Sequence, residues 1–248
     1  MFRHPKIHHQ MSDSYFLCLL LMLTGGFIDC YTYLCRGQVF SFAQTANMLL
    51  AGMAVAQGHW AEVARYVVSF VAFGCGIMAA EAIRCAFRSA PGLHWRQKIV
   101  LINGVLLFVV GCLPGQEFDV LATTATSFIS AMQMQSFRKF RGNSFVSTMC
   151  TGNFRTATEH LFYAFREHKA DRRKKAAQYY ALLLFFILGA TLSYFVSSWF
   201  GSRSIWFGCL LFVVMFVLMM AEPEEMIEEN EYFLDYFNSC NLTNIFLY

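Results

Sequence analysis

The stretch GGFIDCYTYLCRGQVFSFAQTANMLLAG, Gly25 to Gly52, decides the fold because it places polar residues inside a segment that otherwise resembles membrane helix. It is mostly apolar, yet it carries Asp29, Arg36 and the polar run Gln44-Thr45-Ala46-Asn47. A helix needs about 20 apolar residues to cross the hydrocarbon. Backbone groups freed by a break at that depth must be buried in protein or line a watery cavity. The stretch therefore predicts a crossing helix followed by a polar break.

The rest of the chain extends this prediction. The 248 residues are 57% hydrophobic and 14% charged, whereas soluble domains carry about 25% charged residues. Six runs are long enough to cross once their flanks are included: Tyr15–Cys35, Glu62–Ala82, Gln97–Leu113, Val120–Phe137, Ala176–Trp199 and Ser204–Ala221. The predicted fold is therefore all-α and polytopic, with a cytoplasmic N-terminus (1–14), a membrane domain (15–221) and an acidic cytoplasmic tail (222–248).

The distribution of positive charge predicts the orientation. If Phe40–Gln57 does not cross, sixteen of the 19 Lys and Arg residues lie on one side, and the acidic loop Pro114–Asp119 lies on the other. If Phe40–Gln57 crosses, this bias largely collapses. Because cytoplasmic loops carry the excess of Lys and Arg, we expect six crossings with both termini cytoplasmic. Phe40–Gln57 then enters and leaves on one side, or lies at the interface.

Part of the opening stretch is repeated later in the sequence. Phe27-Ile28 recurs as Phe128-Ile129, Arg36-Gly37 as Arg141-Gly142, Phe40 as Phe145, and Thr45-Ala46-Asn47 as Thr151-Gly152-Asn153. Each copy reads as a crossing helix, an Arg-Gly turn, a Thr-x-Asn segment and two more crossings. Three crossings per copy give the two copies opposite orientations, as in several transporter folds. We therefore predict an inverted 3+3 repeat, about 15–113 and 120–221, with two re-entrant or interfacial segments.

Two sets of residues are candidates for function. The helix-break or turn set is Gly25, Gly26, Gly37, Gly142 and Gly152, and the substrate- or ion-binding set is Asp29, Gln44, Thr45, Asn47, Thr151 and Asn153. An intramembrane acid is costly and commonly marks an ion or substrate path. The alternative for Asp29 is a structural pair with Arg36, seven residues and two helical turns away. The alternative for the Thr-x-Asn segments is a close-packed contact without a ligand.

The sequence contains few motifs for catalysis, metal or cofactor binding, or nucleic-acid binding. No nucleophile–base set, metal-ligand cluster or cofactor motif is readable, and nucleic-acid binding is not indicated because the basic residues are juxtamembrane. Glu81 and Arg84 have the spacing of a helix-surface ion pair. Anionic lipid is the expected partner of a basic cluster, formed by Arg166, Lys169, Arg172, Arg173, Lys174 and Lys175. A homo-oligomer is also possible.

The residues Gly25-Gly26-Phe27-Ile28-Asp29, followed by Gly37, Phe40, Thr45 and Asn47, resemble the N-terminal signature of the YoaK-like family. Thr151-Gly152-Asn153 is similar to the second-half counterpart, and the resemblance covers about residues 12–221. Ala46 stands where the family has glycine. The family comprises bacterial integral membrane proteins of unknown function. The resemblance therefore implies a bacterial inner-membrane location and no established substrate.

Our leading functional hypothesis is a carrier for a small solute or ion that works by alternating access. Its site would lie between the two halves, lined by the binding candidates. The alternative is a non-transporting interaction or scaffold protein that uses the basic loop and acidic tail. A membrane-embedded enzyme ranks third because no catalytic set is present.

Overall fold

A computed structural model describes residues 14–88, 92–140, 143–144 and 150–221. Within them the chain forms eight α-helices: α1 (Tyr15–Cys35), α2 (Gln44–Gln57), α3 (Trp60–Phe87), α4 (Trp95–Cys112), α5 (Asp119–Ser136), α6 (Cys150–Glu167), α7 (Ala170–Phe200) and α8 (Ile205–Ala221). Short 3₁₀ turns, Gln116–Phe118 and Gly201–Ser204, precede α5 and α8. Two-residue strands, β1 (Lys139–Phe140) and β2 (Asn143–Ser144), pair antiparallel. The predicted N-terminal segment up to residue 13 and the acidic tail lie outside the described residues, as do Gly142 and Phe145.

Four stretches of the described chain are long and apolar enough to cross a membrane: Tyr15–Cys35, Trp60–Phe87, Trp95–Cys112 and Ala170–Ala221. The last contains α7 and α8, which are separated by the turn at Gly201, where φ is +54°. Each of the six predicted runs coincides with a helix, but α5 is not among the four stretches because it is rich in Thr, Ser and Gln. The all-helical membrane architecture is thus present, and the crossing function of α5 remains a prediction.

Helix α1 lies in the core and runs parallel to α7. The Tyr15 hydroxyl donates to the Gln178 carbonyl at 3.2 Å near one end. Near the other end, the Tyr31 hydroxyl donates to the Ser202 carbonyl at 2.9 Å. At the crossing, a Cβ on Gly26 would lie 2.0 Å from the Phe186 carbonyl oxygen, so the two backbones are in direct contact.

Helix α3 runs parallel to α5 in the same way. The Ser69 and Ser127 hydroxyls are 2.7 Å apart. A Cβ on Gly76 would lie 2.4 Å from the Phe128 carbonyl oxygen, which again places a glycine at the crossing. Close backbone approach at small residues is the usual way in which membrane helices gain packing contacts.

Helices α4 and α8 pack antiparallel between these two pairs. Gln97 donates to the Met219 carbonyl at 2.7 Å, and Trp206 donates to the Phe108 carbonyl at 3.3 Å. The buried apolar core of the molecule gathers around α1, α4 and α8 and includes Leu21, Leu107 and Phe212.

Helices α2 (14 residues) and α6 (18 residues) both start beside a residue within another helix rather than at its end. Asn47, in the first turn of α2, reaches Ser69 of α3, and α2 then ends two residues before α3 begins. Ser69 is nine residues into α3, or about 13 Å along its axis. Helix α6 likewise starts beside Met22 of α1 and ends just before α7. Each of these two helices therefore begins inside the bundle and returns to the end where the next helix, α3 or α7, starts.

The structure corrects the predicted helix breaks. Helix α1 is continuous through Gly25 and Gly26, and Gly152 lies in the first turn of α6. Among these break candidates, Gly37 does form a turn, with φ of +75°. Gly26 instead lets α7 pack closely against α1, because glycine has no Cβ. This role does not require a break in α1.

Candidate functional site

The loop between α1 and α2 is folded around Asp29. Gly37 and Gln38 take left-handed conformations, with φ of +75° and +60°, and turn the chain back into the bundle. The Asp29 carboxylate oxygen Oδ1 then accepts the backbone N–H groups of Ser41 at 2.8 Å and Phe42 at 2.7 Å. Asp29 is 5% exposed. The acid thus supplies an acceptor to two amides of buried loop residues, which backbone groups in a protein interior require.

Asn47 completes the same loop from the first turn of α2. Its Oδ1 accepts the Phe40 N–H at 2.9 Å, and its Nδ2 donates to the Phe40 carbonyl at 2.6 Å. The same Nδ2 contacts the Gln44 Oε1 and the Ser69 hydroxyl. Ser69 is bonded in turn to Ser127 of α5. A polar chain therefore runs from the α1–α2 loop through Ser69 of α3 to α5.

Asp29 and Arg36 do not form the ion pair that the sequence analysis offered as an alternative role for Asp29, so that alternative is wrong. Arg36 is 1% exposed and makes five hydrogen bonds away from Asp29. Its acceptors are the Tyr31 hydroxyl, the carbonyls of Val110, Leu113 and Gly115, and the Asp119 carboxylate. Val110 lies in the last turn of α4 and Leu113 is its C-cap residue, and this carbonyl end of a helix favours a cation. Arg36 therefore ties the end of α1 to the α4–α5 connection.

The start of α6 packs against α1. Cys150 joins the apolar cluster that contains Cys18 and Met22 of α1. Asn153 is buried, and its Nδ2 lies 4.0 Å from the Met22 sulfur on α1. Positive helix ends favour a nearby anion, and the loop whose amides bind Asp29 leads directly into the start of α2.

The two Thr-x-Asn segments show the same pattern of burial. Asn47 and Asn153 are buried, whereas Thr45 and Thr151 are exposed. Gln44 is half-buried, and its Nε2 donates to the Ser41 carbonyl at 2.9 Å. The structure thus brings Asp29, Gln44 and Asn47 together around one loop, while the two threonines point away from it. Ala46 is an ordinary helical residue of α2, so its replacement of a glycine causes no strain here.

Helix α5 presents a buried polar face that sequence reasoning did not single out. Its members are Thr123, Thr126, Ser127, Ser130, Gln133 and Ser136. Thr123, Thr126 and Ser136 bond to carbonyls of their own helix, and Ser127 bonds to Ser69. Gln133 donates to the Leu21 carbonyl of α1 at 3.3 Å. The spacing of three and four residues was the available signal, because it puts these side chains on one helical face.

The end of the molecule opposite Arg36 is charged and aromatic. Glu81 forms the predicted pair with Arg84 at 3.5 Å and also binds Gln135 and Arg138. On α6, His160 stacks on Tyr179 and lies 3.2 Å from Arg172. Burial, and then the nearby Arg172 and Lys175, lower the pKa of His160. Within the described residues, no group of three His, Cys, Asp or Glu side chains is placed to hold a metal.

Long apolar helices, glycine crossings and a buried polar interior define a polytopic helical membrane protein. The chain belongs to the family described as protein of unknown function DUF1275, whose model matches residues 17–218. It is 26% identical over 151 residues to the UPF0700 transmembrane protein YoaK of Bacillus subtilis (strain 168). That match covers 58% of this chain and 66%, just under two thirds, of the relative. No solved structure matches this chain.

Proposed function

We propose that this membrane protein carries a small solute or ion by alternating access between two inverted halves. The observation that carries the proposal is the position of Asp29. The loop before α2 binds this buried acid, and α6 starts beside Met22, two helical turns earlier on the same helix α1. From there α2 and α6 return to opposite ends of the molecule. A broken helix pair that meets at the centre of a membrane domain is the arrangement in which several transporters place their sites.

The pairing of helices supports an inverted repeat. Helix α1 packs on α7 and α5 packs on α3, while α2 packs on α3 and α6 packs on α7. If repeat 1 (α1–α4) is exchanged with repeat 2 (α5–α8), each of these pairs becomes the other, and the α4–α8 pair becomes itself. In this proposal α5 crosses the membrane as the sixth span, and α2 and α6 are re-entrant. Both termini are cytoplasmic, which follows from the sixteen Lys and Arg residues assigned to that side.

The close glycine contacts suggest which parts move together. Gly26 and Gly189 join α1 to α7, and Gly76 joins α3 to α5, through direct backbone contact. Helices α1 and α5 touch each other at far fewer residues than either of these pairs does. The two tight pairs therefore act as rigid units, and alternating access arises when they rock against each other about the α1–α5 contact. Such movement would open the polar face of α5 and the Asp29 loop to one side at a time.

A flux measurement tests the proposal. Protein in proteoliposomes is given inward gradients of Na⁺, K⁺, ammonium or an amino-acid mixture, and charge movement is recorded on a solid-supported membrane. We expect a current above that of empty liposomes for at least one probe, reduced at least tenfold in Asp29→Asn. Asp171→Asn, the same change at an exposed acid of α7, is the control and should carry the wild-type current. No current with any probe would contradict transport, and unchanged current in Asp29→Asn would contradict the role of the acid.

A lipid- or partner-binding scaffold is the second candidate. Phe162 and Phe165 are exposed at the end of α6, beside the basic cluster of residues 166–175. Exposed aromatic and basic side chains together favour an anionic membrane surface. Reversal of Arg173 and Lys174 to Glu should weaken retention of phosphatidylglycerol on the purified protein, measured by native mass spectrometry. A protein partner lost on deletion of residues 222–248, without any flux, would favour the scaffold over the carrier.

A further inference from the structure

Three buried oxygen atoms on one side of α5 have no hydrogen-bond partner within the described part of the chain. They are Asn103 Oδ1 on α4, and Ser130 Oγ and Gln133 Oε1 on α5. The three residues are 1%, 0% and 0% exposed. Buried polar atoms are nearly always bonded, so such exceptions call for a physical reason. A fourth atom of this kind, Ser193 Oγ, lies elsewhere, beside the Cys30 thiol between α1 and α7.

The orientation of the two amides is fixed by their other contacts. Asn103 Nδ2 donates to the Ile129 carbonyl, and Gln133 Nε2 donates to the Leu21 carbonyl, both at 3.3 Å. Carbonyl oxygens can only accept, so each NH₂ group must face its carbonyl. Each amide oxygen therefore points away from the carbonyl that its NH₂ group binds, and it has no donor within the described residues.

The three oxygen-bearing residues are neighbours. The Ile129 carbonyl is the i−4 acceptor of the Gln133 backbone N–H, so an amide that reaches it lies next to Gln133. Ser130 is three residues before Gln133 and therefore shares its face of α5. The cluster lies where α4 and α1 both contact α5, at the small contact about which the α1–α7 and α3–α5 pairs are proposed to rock.

The chemistry of the cluster favours a cation. All three unpartnered atoms are oxygens, and the amide N–H groups that could attract an anion are directed to carbonyls. Neutral amide and hydroxyl oxygens suit a hard cation, whereas tight Ca²⁺ sites usually add carboxylates. None of these three residues is an acid. We propose that Asn103, Ser130 and Gln133 bind a small monovalent cation, which in the proposed carrier would be the coupling ion or the cargo.

The role as coupling ion or cargo rests on the proposed function, but binding can be measured without it. The full-length protein is purified in detergent, and its unfolding midpoint is recorded in NaCl, KCl or ammonium chloride. N-methyl-D-glucamine chloride at equal ionic strength is the reference, because this organic cation is much larger than the other three. We expect at least one small cation to raise the midpoint by about 2–5 °C.

Two near-isosteric variants locate the site. Gln133→Met and Asn103→Leu remove the oxygens and keep the side-chain shape, and both should lose the cation-dependent shift. In N-methyl-D-glucamine they should unfold close to the wild-type midpoint, since the loss of one amide–carbonyl hydrogen bond is offset by removal of an unpartnered buried acceptor. Gln135→Met is the matched control, because Gln135 binds Glu81 away from the cluster, and it should keep the full shift.

The outcomes separate the two proposals. A wild-type protein without any cation shift overturns this site, and so does a shift that survives in Gln133→Met and Asn103→Leu. Flux without a cation shift would refute the site and leave the carrier intact. A cation shift that depends on Gln133, in a protein without flux, would refute the carrier and leave the site intact.

Discussion

Asp29 and Arg36, seven residues apart on the first helix, each fix a different connection of the chain. Asp29 holds the start of the α1–α2 break through two loop amides, and Arg36 holds the α4–α5 connection through backbone carbonyls and Asp119. Both are buried, and neither depends on the other. Each of these side chains is tolerated in the interior because it is hydrogen-bonded there, Asp29 to N–H donors and Arg36 to oxygen acceptors. The opening stretch therefore carries polar residues because the chain must turn inside the bundle.

The role of Asp29 in folding can be separated from its charge. Asp29→Ala leaves the Ser41 and Phe42 amides without an acceptor, and we expect a loss of about 3 kcal/mol in the free energy of unfolding. Asp29→Asn keeps an oxygen at that place, so its loss should be about 1 kcal/mol. Unfolding in mixed SDS micelles measures both. Equal losses in the two variants would show that the oxygen is not what holds the loop.

Arg36 should tolerate no substitute, because only a guanidinium offers five donors in a planar fork. Arg36→Lys retains the charge but can satisfy at most three acceptors, and we expect a loss of about 3–5 kcal/mol. Arg203→Lys, in the turn before α8, is the control and should lose under about 0.5 kcal/mol. The same SDS titration reports both. An Arg36→Lys protein as stable as the control would contradict this account of the connection.

At the scale of elements, glycines decide which helices form pairs. Gly26, Gly76 and Gly189 all face a neighbouring backbone, while Gly74 faces open space. The hydrophobic runs predicted the positions of six helices, because length and apolar composition suffice for that. These are α1, α3, α4, α5, α7 and α8. The runs could not predict which helices touch. Gly74 and Gly76 look alike in the sequence, and the carbonyls that Arg36 binds are more than seventy residues away.

Gly76→Ala and Gly74→Ala form a matched pair within α3. A Cβ on Gly76 meets the Phe128 carbonyl and the Ala131 side chain, so we expect a loss of about 1–3 kcal/mol as α3 and α5 separate. A Cβ on Gly74 meets nothing within 4 Å. Because Ala favours helix over Gly by up to about 1 kcal/mol, Gly74→Ala should be neutral or stabilising. Similar effects at both positions would mean that α3 and α5 are not packed as described.

The candidate site was only partly predictable for a related reason. The polar run at Gln44–Asn47 indicated a break inside the membrane domain, and the chain does start a helix there. Composition could not tell whether Asp29 and Asn47 would face a solute or their own loop, since the same donors and acceptors suit both. The buried face of α5 escaped notice because Thr and Ser are small and common in membrane helices.

At the scale of the whole molecule, the central claim is that two inverted halves meet at Asp29. On this account α2 returns to the outer surface and α6 returns to the cytoplasm, although each follows the same motif. The helix ends then fall into two groups. His59 and Gln116 lie at the outer end, together with Arg36, and Gly92 and His168 lie at the cytoplasmic end, together with Glu81.

Single-cysteine labelling tests this claim most directly. The nine native cysteines are replaced, and Cys is introduced one at a time at His59, Gln116, Gly92 and His168. We expect a membrane-impermeant maleimide to label His59→Cys and Gln116→Cys in intact cells, and Gly92→Cys and His168→Cys only after permeabilisation. A cytoplasmic protein with an exposed thiol serves as the control for cell integrity. Labelling of His59→Cys and His168→Cys from the same side of the membrane would contradict the inverted arrangement.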